Sequence, residues 1–222
     1  MRHAPAILKP THKKWRLLKK LPEIVSEEVE KHVQEGRKVR LMFQDEGRFV
    51  RINESRRCWA PGGSRPEVPV QIVREYTYAY VTVSPHDGVM DSLILPEVNA
   101  EAMSIFLVEV AQRHPDEFIL MVMDQAGWHK AKDLVIPENI RLIWQPPYSP
   151  QCNPVENIWG EIREKWFPNL VFKSLQAVED TLVGALVALE NDNAKTKSIS
   201  GFEWIISMSL NATYSISNSI MH

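Results

Sequence analysis

The chain has only two cysteines in 222 residues, Cys58 and Cys152. Two such distant thiols form no metal-ligand spacing and no disulfide framework, so a reduced, cytoplasmic protein is the expectation. Long apolar runs are lacking as well: no stretch approaches the roughly 18 residues of a membrane-spanning helix. The opening segment "MRHAPAILKPTHKKW" has no apolar core of a secretory signal. Internal repeats and low-complexity tracts are absent. Net charge is small, at −2, but it hides an asymmetry. Residues 1–40 carry 11 Lys and Arg against 5 Asp and Glu, a balance of +6, and residues 41–222 carry 15 against 23, a balance of −8. A basic arm on an acidic body suits contact with a polyanion, although on charge alone a solvated helical surface is the plainer account. The remaining composition, 44% hydrophobic and 24% charged, is that of a globular protein with one large domain or two small ones.

Residues 11–37 read as a basic stretch followed by a helix, with Ile24, Val25, Val29 and Val33 near helical spacing. "KVRLMFQDEG" reads as a strand whose Val39, Leu41, Phe43 and Asp45 share one face. A second strand is expected from Arg48 to Asn53, ahead of the Pro-, Gly- and Arg-rich loop "SRRCWAPGGSRPEVP". "VQIVREYTYAYVTVS" and "GVMDSLILP" are further strands joined as a hairpin through Pro85 to Gly88. From Asn99 the period changes to helical, with Met103, Phe106, Leu107, Val110 and Ala111 on one stripe. "FILMVMD" reads as a central strand buried on both faces, and "IRLIWQ" repeats that signal after a short helical or irregular piece. The corner "QPPYSPQCNPVENIW" then enters a helix with Asn153 as N-cap, Pro154 at the first position and Val155, Ile158, Trp159, Ile162 and Trp166 on its apolar face. A last helix runs from about Leu175 to Leu189. Meandering strands followed by strand–helix–strand crossovers make an α/β chain with a mixed sheet flanked by helices, the order of a ribonuclease H-like fold.

Three carboxylates fall at element ends: Asp45 after the first strand, Asp124 after the buried strand, and Glu156 in the first turn of a helix. Binding crevices of open α/β sheets lie at the carboxyl ends of strands. Alone, each is explained as a turn or cap residue, Glu156 by a capping box or the helix dipole. Together, with no Lys or Arg at fixed spacing beside each, they point to a divalent cation. An all-oxygen donor set favours Mg²⁺ or Mn²⁺, and two such ions about 3.5–4 Å apart support phosphoryl transfer.

"FQDEGRF", "MVMDQAGWHK" and "PPYSPQCNPVENIW" resemble the three blocks of DDE transposases of the mariner superfamily, in its bacterial insertion-sequence branch. The loop "RRCWAPGGSRP" and the late "GFEWI" are similar to family segments too, so the resemblance runs from about residue 38 to 206. It implies a DDE endonuclease domain at 38–206, behind a basic arm and linker helix at 1–37 and ahead of a tail at 207–222. It implies Asp45, Asp124 and Glu156 as the metal-binding triad, Asp45 shared between two Mg²⁺ or Mn²⁺ ions and the others on one each. The implied reaction is DNA transposition: water cuts at the element ends, and the freed 3′-hydroxyl attacks target DNA, usually at a TA step. A homodimer is implied, and a helix-turn-helix module upstream of Asp45, which a frameshift fusion would supply. The second block departs from the family at Gln125, Gly127 and Ala131, where Asn, Pro and Ser are common.

DNA contacts are expected from Arg48, Arg56, Arg57 and Arg65 around the Trp59 loop, with Arg51 and Arg74 nearby, and from His129 and Lys130 beyond Asp124. A solvated hairpin and an exposed loop histidine are the plainer accounts. Glu46 alternates to the face opposite Asp45 and is expected at the surface or behind the site. Trp144, Trp159, Trp166 and Trp204 are expected in the core. Two other readings stay open: a ribonuclease H-like nuclease of hybrid or branched nucleic acid, and an inactive transposon remnant that only binds DNA.

Overall fold

The computed structural model describes residues 38–52, 71–146 and 149–201 without a break, with scattered positions among 21–32, 61–67 and 203–206. The expectations for the basic arm, for Cys58, Trp59, Arg56, Arg57 and Arg65, for Trp204 and for the 207–222 tail lie outside the described residues. The described positions between 21 and 32 are helical, as the spacing of Val25 and its neighbours anticipates. Among the described residues, no helix is long and apolar enough to cross a membrane.

Five strands make one sheet in the order β3-β2-β1-β4-β5. Strand β1 (Lys38–Ile52) is central. It pairs antiparallel with β2 (Ile72–Val83), which pairs antiparallel with β3 (Met90–Leu95). On its other side β1 runs parallel to β4 (Glu117–Met123), which runs parallel to β5 (Ile140–Trp144). The two strands expected at 39–45 and 48–53 are a single strand of 15 residues. Gly47 does not interrupt it, because the strand there lies against Trp159: a Cβ on Gly47 would sit 3.0 Å from the indole carbons. The β2–β3 turn uses Gly88 at φ 79, a conformation that glycine adopts without steric penalty.

Each face of the sheet carries its own apolar layer. Met42, Tyr80, Ile119, Met121 and Met123 meet Met103, Phe106, Leu107 and Val110 of helix α1 (Ala100–Arg113), which is capped by Asn99. Phe43, Val81, Leu120 and Val122 meet Ile158, Trp159 and Ile162 of α2 (Val155–Lys165) together with Leu182, Leu186 and Leu189 of α3 (Leu175–Glu190). All seven residues of β4 are buried, and each large apolar side chain so placed contributes about 1.5–3 kcal/mol. A short helix α4 (Asn193–Ser200), capped by Asp192, was not anticipated because "NAKTKSIS" is mostly polar. Trp159 is in the core, whereas Trp144 stands at the end of β5 with 37% of its surface exposed and Lys130 over its ring. Among the described residues β5 is an edge strand, so its last residue has a neighbouring strand on one side only.

Candidate active site

The β1–β4 register decides where two of the carboxylates go. Its last pair is Phe43 with Val122. Two residues further along each chain come Asp45 and Asp124, on the same face of the sheet because side chains alternate. β1 continues there, paired to β2 through Asp45 and Val81, while β4 has ended. Asp124 therefore leaves the sheet beside a strand that still carries Asp45. Helix α2 packs on that same face and brings Glu156 in its first turn.

The corner that opens α2 is tied to the sheet. Gln145 N–H donates to the Met123 carbonyl at 2.8 Å, and a 3₁₀ turn (Pro150–Cys152) leads to Asn153. Asn153 is buried, and its side chain makes two bonds. Nδ2 donates to the Gln44 carbonyl at 2.9 Å, and Oδ1 accepts from the Val155 N–H at 3.1 Å. The helix begins at Val155 with Pro154 as its flanking residue, one position later than expected, and Asn153 bonds the Val155 N–H from just outside it. The bond to Gln44 of β1, next to Asp45, is what the sequence did not disclose. It fixes the start of the Glu156 helix to the strand that carries Asp45.

Asp45, Asp124 and Glu156 line one open cleft of about 480 Å³, with Gln125, Lys130 and Asn153 among the other wall residues. Asp45 Oδ2 accepts from the Trp159 indole N–H at 3.0 Å. Burial pushes the Asp45 carboxyl up to about 7; the Trp159 bond opposes this, and the charges of Glu46 and Glu156 reinforce it. Asp124 is more exposed. Its Oδ1 accepts from the Ala126 N–H at 2.9 Å and lies 2.9 Å from His129 Nδ1. The His129 bond holds its carboxyl below the usual range, against partial burial. Among the described residues no side chain donates a hydrogen bond to Glu156, which partial burial raises and the Arg163 charge lowers.

His129 is not an exposed loop residue, nor is it placed to grip DNA. Its ring is buried, with Nε2 2.7 Å from Glu46 Oε1 and Nδ1 on Asp124. With an ionised carboxylate at each ring nitrogen, a single ring proton serves only one of them, so the arrangement favours the doubly protonated cation. Burial disfavours that cation, but the bonds to Asp124 and Glu46 outweigh it and push the imidazole up to about 9. Glu46 does lie on the opposite face from Asp45, yet the residue is half-buried and its side chain only 7% exposed, and it also accepts from the Trp128 indole N–H at 3.2 Å. Alternation located its face correctly and missed His129, which reaches round the end of β4.

The other expected DNA contacts divide. Lys130 lines the cleft and donates to Gln125 Oε1 at 2.6 Å. Arg48 is exposed, its guanidinium 5.7 Å from the Tyr76 ring centre, and Arg74 is exposed on β2. Arg51 is committed to structure, bonding Glu75 and the carbonyls of Phe172 and Lys173.

The DDE superfamily endonuclease family matches residues 40–179, which include all three carboxylates. The chain belongs to that family. This DDE domain is 35% identical over 130 residues to the uncharacterized protein y4pE/y4sA of Sinorhizobium fredii (strain NBRC 101917 / NGR234), covering 58% of this chain and 96% of that protein. Among solved structures, the Mos1 mariner paired end complex with Mn aligns at TM-score 0.60 and 17% identity, over 94% of this chain and 65% of that one. The catalytic domain of Mos1 mariner transposase aligns at TM-score 0.52 and 14% identity, over 90% and 95%. The DDE domain therefore has the ribonuclease H-like fold of mariner transposase catalytic domains. It spans just under two thirds of the length of the longer Mos1 chain.

The oxygen-only donor set fits a hard divalent cation. The raised Asp45 carboxyl, set first by burial and then by the charges of Glu46 and Glu156, is a group whose ionised form a cation would favour. Among the described residues, no three His, Cys, Asp or Glu side chains enclose a single point; the three carboxylates stand on the walls of the open cleft instead.

Proposed function

We propose that this DDE domain is the catalytic domain of a transposase, carrying out divalent-metal-dependent strand cleavage and strand transfer on DNA. The observation that carries the reading is the convergence of Asp45, Asp124 and Glu156, far apart in sequence, on one cleft where β4 ends beside the middle of β1. These three residues would hold Mg²⁺ or Mn²⁺. Two such ions supply activation of the attacking oxygen and stabilisation of the leaving oxygen in displacement at phosphorus. The attacking hydroxyl comes from water in cleavage and from a freed DNA 3′ end in transfer, so no covalent bond to the protein forms.

The chain's own residues do the positioning. Trp159 orients the Asp45 carboxylate by its N–H, and Asn153 fixes the helix that presents Glu156. Lys130 on the cleft wall and exposed Arg48 offer charge to the phosphate backbone. The Mos1 structures include a paired-end complex with a transposon end. Transposon-end DNA, acted on by a homodimer with TA target sites, is the substrate proposed for this chain.

The test is cleavage of DNA carrying the sequences that flank its own gene, in Mg²⁺ or Mn²⁺. Asp124→Asn keeps the shape of the side chain and removes its charge. Cleavage is expected to vanish while DNA binding persists; equal cleavage by variant and wild type overturns the reading.

A further inference from the structure

Asp124 is an exposed carboxylate held by buried groups. Its side chain is 58% exposed, whereas the His129 and Glu46 side chains are 1% and 7% exposed. Asp124 Oδ1 takes two donors, the Ala126 N–H and His129 Nδ1, each at 2.9 Å. That leaves Oδ2 as the oxygen available to a ligand. The His129 ring is itself clamped: Nε2 is 2.7 Å from Glu46 Oε1, and its backbone N–H donates to the Ala126 carbonyl at 3.1 Å. Glu46 is held in turn by the Trp128 N–H on the same Oε1. A two-bonded imidazole cannot rotate without losing a partner, so the carboxylate it grips is fixed as well.

We propose that Glu46 is a positioning residue for the cation site: acting from the opposite face of the sheet through His129, it sets which oxygen of Asp124 is presented to the cleft. The inference rests on the reading of Asp124 as a cation ligand. It goes further in assigning a role to an adjacent carboxylate that lies outside the triad and does not line the cleft. Without Glu46 the ring loses its Nε2 anchor, Nδ1 is no longer fixed, and Asp124 keeps only the Ala126 N–H to hold its Oδ1. Groups that hold a metal ligand in this way typically account for about tenfold or more in metal affinity.

The experiment is calorimetric titration of Mn²⁺ into the full chain, wild type, Glu46→Gln, Glu46→Ala and Asp124→Asn, each checked for its thermal midpoint. Loss of positioning raises the half-saturating Mn²⁺ concentration and leaves the stoichiometry intact, whereas a merely structural defect lowers the fraction of chains that bind. The expected order of half-saturation is wild type, then Glu46→Gln, which keeps an uncharged acceptor, then Glu46→Ala at about tenfold or more. If Glu46→Ala does not fold, Glu46→Gln decides by itself. Folded Glu46 variants that bind Mn²⁺ at the wild-type midpoint, while Asp124→Asn has lost it, overturn the role of Glu46 and leave the triad standing. Wild-type binding by Asp124→Asn overturns both.

Discussion

Replacing Asn153 with Ala tests whether the proline-rich corner is built to hold one helix against one strand. Two bonds disappear. The Gln44 carbonyl loses its 2.9 Å donor in a buried setting, and the Val155 N–H loses its 3.1 Å acceptor at the helix start. An unpaired buried carbonyl costs about 1–3 kcal/mol, and a lost N-cap about 1 kcal/mol, so the sum is about 2–4 kcal/mol. For a chain of this size each kcal/mol moves the melting temperature by about 2–4 °C. Calorimetry is then expected to show a drop of about 5–15 °C. Asn153→Asp keeps the oxygen facing Val155 but replaces the donor with an acceptor that faces the Gln44 carbonyl, so it should not rescue. Well below the melting temperature, both variants should still cleave DNA poorly, because Glu156 is no longer held at the level of Asp45. A melting point within about 1 °C of wild type would refute this account of the corner.

Three further outcomes follow from the geometry. Gly47→Ala places a methyl 3.0 Å from the Trp159 ring and should push the indole off Asp45; overpacking of this kind costs about 1–3 kcal/mol, read by urea denaturation. The metal-free protein should lose stability as pH rises, in two windows. Asp45, raised to about 7, binds its proton more tightly when folded, so its contribution, at most about 4 kcal/mol, is present near pH 4 and lost by pH 7. His129, raised to about 9, contributes fully below its ordinary value of 6.5 and loses that contribution between there and pH 9. Denaturation curves across pH 4–9 check both, and Asp45→Asn should flatten the lower window alone. Lys130→Ala should reduce DNA affinity about equally for all sequences and make binding less steeply dependent on salt, measured by competition titration at two salt concentrations.

Much of the site was legible in the sequence because it depends on periodicity. The run Phe118 to Met123 identifies a strand buried on both faces, and a carboxylate at its end is conspicuous. The helical stripe Val155, Ile158, Trp159, Ile162 determines which way α2 faces, and hence that Glu156 is off the core. Alternation on β1 separates Asp45 from Glu46 correctly. The contacts that cross between elements were not legible. That His129 joins Asp124 to Glu46 depends on where a 3₁₀ turn lies relative to the end of β4, which no spacing encodes. That Asn153 reaches Gln44 depends on two segments 109 positions apart. Trp159 was assigned to the core, where it is, but its N–H on Asp45 follows from Gly47 leaving room for the ring. The helix at Asn193–Ser200 shows the converse: its polar sequence has little period, and Asp192 capping is its main local signal.

The central claim is that Asp45, Asp124 and Glu156 act as one metal-dependent site for strand transfer. The most direct measurement supplies a DNA end already cut, with a free 3′-hydroxyl, and asks whether the protein joins it to a target plasmid. Wild type should form the joined product in Mg²⁺ or Mn²⁺ and none in EDTA, and Asp45→Asn, Asp124→Asn and Glu156→Gln should each fall below detection while still binding DNA. Joining at the wild-type level by any one of the three variants, or by wild type in EDTA, would contradict it.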